Sequence, residues 1–416
     1  MALPKTYPLL ALRTLALHTQ GLTTPNGAEP PPTSESIRGV VAQLGGVQID
    51  TLHVVQRSHC LVLWSRLGTY DPADFHRLIY DPAQRCLFEG WLRAACILPL
   101  EEYRYQVPLQ RRLRVQPASW SARWLAEPGS RELIQSVLER VRREGGLRVA
   151  DFEYHGPKRG SWWDWKPAKH ALEHLYAWGD LMIAGRVNFQ RVYDLTERVL
   201  PAWVDTTAPT ADERDRRWVE QGVRTFGACE ASQAGDNAWM KRARSRPHVA
   251  ALLAAGVLVS VQSQLHDGKV HDVVVHRDNL PLLEQAAAGE IVAQRTTFLS
   301  PFDSMFWPQR RDRQFWGYHS ALEAYKRAPQ RRYGYYCLNI LHRDRLVGRF
   351  DPKLERANGT MRLKALFLEP GVVPEEELVQ GVAVAMRDFM AFHQARDLVV
   401  ERSEPEELGQ RLLAAL

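Results

Sequence analysis

Apolar residues recur every three to four positions through PLLALRTLALHTQG (8–21), SESIRGVVAQLGG (34–46) and DPADFHRLIYD (71–81), which predicts three helices. The first reads as amphipathic and ends at Gly21. The second has Ser34 or Ser36 as its cap and Gly45-Gly46 as its stop. Between the second and third, VQID reads as a short strand, and TLHVVQRSHCLVLWSRLG (51–68) returns to helical spacing. CLFEGW (86–91) and AACILPL (94–100) read as strands. The segment 23–36, rich in Pro and Ser, reads as a loop.

The pattern then recurs. RELIQSVLERVRREGG (131–146) and KPAKHALEHLYAWG (166–179) are helices, followed by two apolar strands within 180–201 that turn at AGRVN. In a third copy, ADERDRRWVEQGVRTFG (211–227) and RPHVAALLAAG (246–256) are helices, and VLVSVQSQL pairs with KVHDVVVHR across HDG. Helix, helix, hairpin is the element order of a winged helix, a fold that most often binds DNA. From about residue 290 the chain turns β-rich, with three runs between 331 and 370 and turns at HRDR and ERANG, before a helix at 374–394. The fold class expected is therefore α+β, with three winged helices at 1–120, 121–204 and 205–286 and a barrel-like β domain at 287–416.

Length, charge and cysteine usage narrow the picture. A chain of 416 residues is too long for one ordinary domain. A net charge of +6 is compatible with a polyanionic partner without demanding one. Five cysteines without a C-x-x-C pair argue against a disulfide framework or zinc knuckle and for a reducing cytoplasm. No apolar run reaches membrane-span length, and Pro8 and Arg13 make the N-terminus a poor signal peptide. HExxH, Walker and GxSxG patterns are absent, so no metal or cofactor is expected.

Basic clusters offer DNA contacts. Lys166 and Lys169 stand in SWWDWKPAKH, where Trp162, Trp163 and Trp165 are equally candidates for packing. Arg310 and Arg311 form a second cluster, Arg331 and Arg332 a third. In VQID, residues two apart share a face of a strand, so Gln48 and Asp50 point together and Ile49 points inward. An amide beside a carboxylate can hold and polarise a water. Asp50 also reads as an N-cap for the following residues, and both readings stand on the local sequence. The pair Gln262 and Gln264 has the same spacing but lies in a hairpin, where backbone or solvent contacts are expected.

Five long stretches in order resemble the YcaQ/AlkZ-type winged-helix DNA glycosylases, which unhook interstrand crosslinks: GGVQIDTLHVVQRSH, LFEGWLRAACILPLEEY, WWDWKPAKHALEHLYAWGDLM, LSPFDSMFW and RRYGYYCLNILHRDRLVGRFDPK. The resemblance covers about 9–402 and implies three tandem winged helices, a C-terminal β-barrel and a basic DNA-binding surface. The family's catalytic motif is Gln, an apolar residue, then Gln or Asp. Gln48-Ile49-Asp50 is similar to the acid-bearing YcaQ (AlkX) branch. The resemblance implies hydrolysis of the N-glycosidic bond of N7-alkylated guanine in duplex DNA, with Gln48 and Asp50 catalytic. By charge and placement, one and two turns along the helix expected after the pair, His53 and Arg57 are expected near the DNA strand. No lysine adjoins the pair in sequence, so a monofunctional enzyme is expected. Nothing in the sequence suggests an obligate dimer, so a monomer is expected. The rival reading is a non-catalytic winged-helix regulator.

Overall fold

The structure is a computed structural model that describes residues 4–27, 31–153 and 166–416. The chain divides into two compact units. One comprises Met1–Pro72, Leu92–Ile97 and Asp215–Leu416, the other Ala73–Trp91 and Leu98–Arg214.

In the first unit the helix Leu9–Thr19 is buried on most of its circumference, not along one stripe as its sequence suggested. Leu12, Leu15 and Ala16 join a core with Val261, Val273 and Val275 of the 258–276 hairpin and with Leu299, Phe315 and Leu346 further on. The N-terminal helix is thus the centre around which distant parts of the chain gather. The helix Ser34–Leu44 is capped by Thr33, one residue before the expected caps, in a reciprocal capping box with Ser36; Gly45 ends it in the left-handed conformation.

The C-terminal strands form one open sheet in the order 397–400, 360–368, 345–355, 338–342, 296–299, with 403–404 also pairing with 360–368. Turns at HRDR and ERANG fall where the sequence placed them. The sequence pointed to a small barrel or half-barrel, and closure is not found: the two end strands do not pair with each other among the described residues. The helix Glu376–Phe392 explains why. It buries Leu378, Val382, Met386 and Phe389 and is the crossover that lets 397–400 run parallel to 360–368. Gly381 allows its close approach, since a Cβ there would lie 2.8 Å from Thr296 Oγ1. With one face covered by this crossover helix, closure is not needed to bury the sheet.

The helix Ser58–Leu67 is docked on that sheet by two buried anchors. Trp64 packs on Phe298 and Phe389 at centroid distances of 5.8 and 4.9 Å. Arg66 forms a buried ion pair with Asp303, Nη2 to Oδ1 at 2.9 Å, and donates through Nε to the Gln20 carbonyl at 3.0 Å. Asp303 of LSPFDSMFW is therefore an anchor for the helix that follows the QID stretch.

In the second unit, Ser130–Glu144 and Pro167–Trp178 pack against the hairpin Leu181–Val187/Gln190–Leu195 around Val137, Val141, Leu172, Leu175 and Ile183. The hairpin turns at Asn188-Phe189, both with positive φ, so the turn takes only the last residue of AGRVN and the strand runs through the rest. Gly185 instead sits at a register shift within the strand. Glu89, buried, accepts from Arg186 Nε and Nη2 at 2.7 Å each and from the Tyr80 hydroxyl at 2.6 Å.

Candidate active site

Val47–Gln48 is a two-residue strand paired antiparallel with Cys96–Ile97, and the Ile49 N–H extends the pairing by donating to the Ala95 carbonyl at 2.8 Å. That pairing sets the alternation of the next residues. Ile49 is buried, while Gln48 and Asp50 are half-buried. The chain then departs from the helical expectation. Residues 51–57 are bends closed by an isolated antiparallel bridge between His53 and Arg57, and the helix starts only at Ser58 with Arg57 as its N-cap. Asp50 is consequently not a helix cap. Its Oδ1 accepts the Leu52 N–H at 2.8 Å in a local turn.

The 50–57 loop is held by side chains in place of helical hydrogen bonds. Arg57 donates through Nη1 to the Thr51 carbonyl, and its own N–H donates to Gln56 Oε1 at 2.8 Å. Arg356 reaches in from the end of the 345–355 strand, donating through Nη2 to the Val55 carbonyl at 2.8 Å and lying 3.2 Å from His53 Nε2. A hydroxyl chain runs beneath the loop, from Ser58 Oγ to Ser300 Oγ at 3.0 Å and on to the Tyr336 hydroxyl at 2.9 Å.

Burial raises the Asp50 carboxyl above its ordinary value; the Leu52 N–H and the Arg57 charge oppose that rise without cancelling it. The field of Asp50 in turn reaches the phenols of Tyr325 and Tyr336, both raised first by desolvation and then by this charge. Burial and the charge of Arg57, then that of Arg356, lower His53. Behind it, His393 is pushed down to about 4 by burial and the same Arg356. The result is a partly desolvated carboxylate two residues after a half-buried amide, with the Arg57 charge acting on it and the phenols of Tyr325 and Tyr336 within its field. Such a pair can orient a water and oppose a developing positive charge.

The remaining candidates fall in different surroundings. Arg310 is exposed, but Arg311 is fully buried, donating to the carbonyls of Phe226 at 2.6 Å, Ala228 at 3.1 Å and Met305 at 3.0 Å. Its charge serves the core and does not face DNA; desolvation lowers it to about 10. Arg332 is exposed over the Tyr333 ring and Arg331 half-buried over Tyr335, each guanidinium 4.9 Å from the ring centroid. Lys166 is the exposed N-cap of its helix, and Lys169 is half-buried. Trp162, Trp163 and Trp165 lie outside the described residues. Gln262 and Gln264 donate to Asp272 Oδ1 at 3.0 Å and to the Gly268 carbonyl at 2.7 Å, local contacts of a hairpin.

Tyr325 and Tyr336 as neighbours of Asp50, and Arg356 as a clamp on the loop after it, were not legible, because about 300 residues separate them from it in sequence. No helix among the described residues is long and apolar enough to cross a membrane.

Comparison with known proteins bears on the chemistry. The fold is similar to that of the Streptomyces sahachiroi DNA glycosylase AlkZ, with a TM-score of 0.63 and 16% identity, covering 95% of this chain and 100% of that one. At that identity the likeness is one of fold. The sequence pattern of the family described as DNA glycosylase AlkZ-like matches residues 41–392, a span that includes the QID stretch and the loop after it. This chain belongs to the AlkZ-like DNA glycosylase family.

Proposed function

We propose that this glycosylase hydrolyses the N-glycosidic bond of N7-alkylated guanine in duplex DNA, including guanine tied into an interstrand crosslink. The observation that carries the reading is the half-buried Gln48–Asp50 pair on one strand face, with Asp50 released from any helix-capping role. An N7-alkylated guanine is already cationic, so the C1′–N9 bonding pair leaves with a neutral base and no acid is required. Water oxygen bonds to C1′, the bond to N9 breaks, and the water's proton passes to the Asp50 carboxylate. Before that transfer the carboxylate opposes the positive charge growing on the sugar. Gln48 both donates to and accepts from the same water.

Asp at the third position places the chain with the acid-bearing YcaQ-like branch in this reading. The half-exposed carboxylate suits a base that is tied to the opposite strand and so cannot swing freely into a deep pocket. The basic groups bordering the loop are arginines and a histidine, which supports a monofunctional hydrolase over a Schiff-base lyase. Lys166, Lys169, Arg310, Arg331 and Arg332, with His53 and Arg57 beside the pair, are proposed phosphate contacts. We retain the four-part organisation, with winged helices at 1–120, 121–204 and 205–286 before 287–416, as a proposal, together with a monomeric, cytoplasmic enzyme that needs no cofactor. Membership of a glycosylase family favours catalysis over the regulator reading.

The deciding experiment is base release from duplex DNA carrying N7-methylguanine or a nitrogen-mustard crosslink. Wild-type protein should leave an abasic site and Asp50→Asn should not, at matched DNA affinity. Release at equal rates by both proteins removes Asp50 from the mechanism, and a borohydride-trapped adduct removes the monofunctional assignment.

A further inference from the structure

The turn Gly235–Met240 presents an aromatic side chain that neither packing nor backbone preference accounts for. Trp239 takes φ +50° and ψ +35°, a left-handed conformation unfavourable for a bulky residue, and is 61% exposed. The turn is held from several sides. Met240 N–H donates to the Gly235 carbonyl at 3.0 Å, Asn237 Nδ2 to the Trp218 carbonyl at 2.8 Å, and Asp236 Oδ2 accepts the Gln309 N–H at 2.8 Å. Backbone strain held in place in this way under a largely exposed side chain is ground for proposing a functional contact.

One further residue singles out the indole. The Arg93 guanidinium lies 4.2 Å from its ring centroid and is fixed there by donating to the Asp236 carbonyl at 2.9 Å. Arg93 stands three residues before Cys96, the backbone partner of Gln48. Directly after the turn come Lys241, Arg242 and Arg246, all exposed; the charge of Arg242 also acts on the Asp236 carboxyl in the turn. Arg244, by contrast, is held by Asp215 at 2.7 Å. An open indole stiffened by a guanidinium, beside three exposed cations, matches a nucleic-acid strand: its bases offer stacking faces and its phosphates take the charge.

We propose that Trp239 and Arg93 form a stacking platform for a base or deoxyribose of the damaged strand, with Lys241, Arg242 and Arg246 holding that strand's phosphates. The inference rests on the DNA-substrate reading above and adds to it a contact surface beside the Gln48 strand.

The test compares wild type, Trp239→Gly, Trp239→Phe and the triple variant Lys241→Ala/Arg242→Ala/Arg246→Ala. The probe is a duplex with one tetrahydrofuran abasic-site analogue, titrated by fluorescence anisotropy over a range of salt, with thermal unfolding run in parallel. Glycine adopts the left-handed conformation without strain, so Trp239→Gly should unfold at the wild-type temperature or above it. It should bind about tenfold more weakly, in line with the loss of one base–aromatic stack, at an unchanged salt slope. Trp239→Phe should recover most of that affinity. The triple variant should lower the slope of log K against log salt by about 2.7, or 0.9 per phosphate. Trp239→Gly binding within twofold of wild type overturns the platform alone, as does weaker binding accompanied by a lower unfolding temperature. Wild-type protein that binds neither this duplex nor an undamaged one overturns the DNA-substrate reading and the platform with it.

Discussion

Replacing Asp50 by Asn should separate chemistry from folding. The asparagine oxygen can still accept the Leu52 N–H now held at 2.8 Å, so the turn at 50–52 should survive. What disappears is the charge. Two unit charges about 4 Å apart interact by about 4 kcal/mol at an effective dielectric near 20, the regime suited to a half-buried carboxylate. At about 1.4 kcal/mol per decade, loss of that attraction to an oxocarbenium-like sugar predicts a rate lower by roughly a thousandfold. A value of 10²–10³ is also about what removal of one preorganised electrostatic contact costs elsewhere. Stability should move the other way. Folding raises the Asp50 carboxyl, so the folded state binds its proton more tightly than the unfolded chain does. The ionised form is therefore a cost to folding at neutral pH, and that cost disappears as pH falls through the raised value. Asp50→Asn should unfold at or slightly above the wild-type temperature at pH 7, with the difference shrinking in acid. The assay is single-turnover release of N7-methylguanine at saturating enzyme, with DNA affinity and thermal unfolding measured on the same preparations. A variant keeping more than a tenth of the wild-type rate would refute the charge argument. A variant that unfolds several degrees lower would show that Asp50 is chiefly a structural anchor.

Other outcomes follow from the same structure. The excision rate should decline in acid with a midpoint above the ordinary carboxylate range, because burial raises Asp50; a rate independent of pH down to that range would contradict the ionised-carboxylate mechanism. Arg310→Ala should leave stability within about 0.5 kcal/mol and reduce the salt slope of DNA binding by about 0.9, whereas Arg311→Ala should cost about 3 kcal/mol or more by stranding three buried carbonyls, as denaturant titration will show. Arg331→Ala and Arg332→Ala should each lower the salt slope by about 0.9 without loss of folding; unchanged slopes would remove them from the interface. Glu89→Gln should destabilise the protein by about 3–5 kcal/mol, since it leaves Arg186 buried against a neutral partner. Burial pushes Glu89 up, but Arg186, Arg191 and Tyr80 hold it below the ordinary range, so its contribution is present above the unfolded value and is lost as pH falls; equal acid-unfolding midpoints for wild type and variant would count against that sign.

Much of the molecule was legible along the chain. The helices at 34–44, 130–144, 211–226 and 376–392, and the strands at 338–342, 345–355 and 360–368, lie where periodicity and turn residues placed them. These features are short-range: a cap, a left-handed glycine or a two-residue alternation acts within one turn of backbone. The shared face of Gln48 and Asp50 is of this kind, because strand pleating alone brings residues two apart together. So is the family itself, whose pattern matches 41–392.

Where the chain packs on itself, local pattern lost its authority. TLHVVQR has helical spacing, yet Arg57 and Arg356 satisfy the loop's carbonyls and the helix waits until Ser58. Arg310 and Arg311 are the same residue type side by side, and only the three carbonyls converging on Arg311 separate a core cation from a surface one. The sheet remains open because a crossover helix covers it, and Tyr325, Tyr336 and Arg356 meet the QID stretch and its loop across about 300 residues of sequence. The sequence by itself determined the element types, the spacing of the candidate pair and the family. Tertiary structure decided which charges face solvent, how far Asp50 is desolvated and what surrounds it, because burial and electrostatic fields depend on distances in space that sequence separation does not encode.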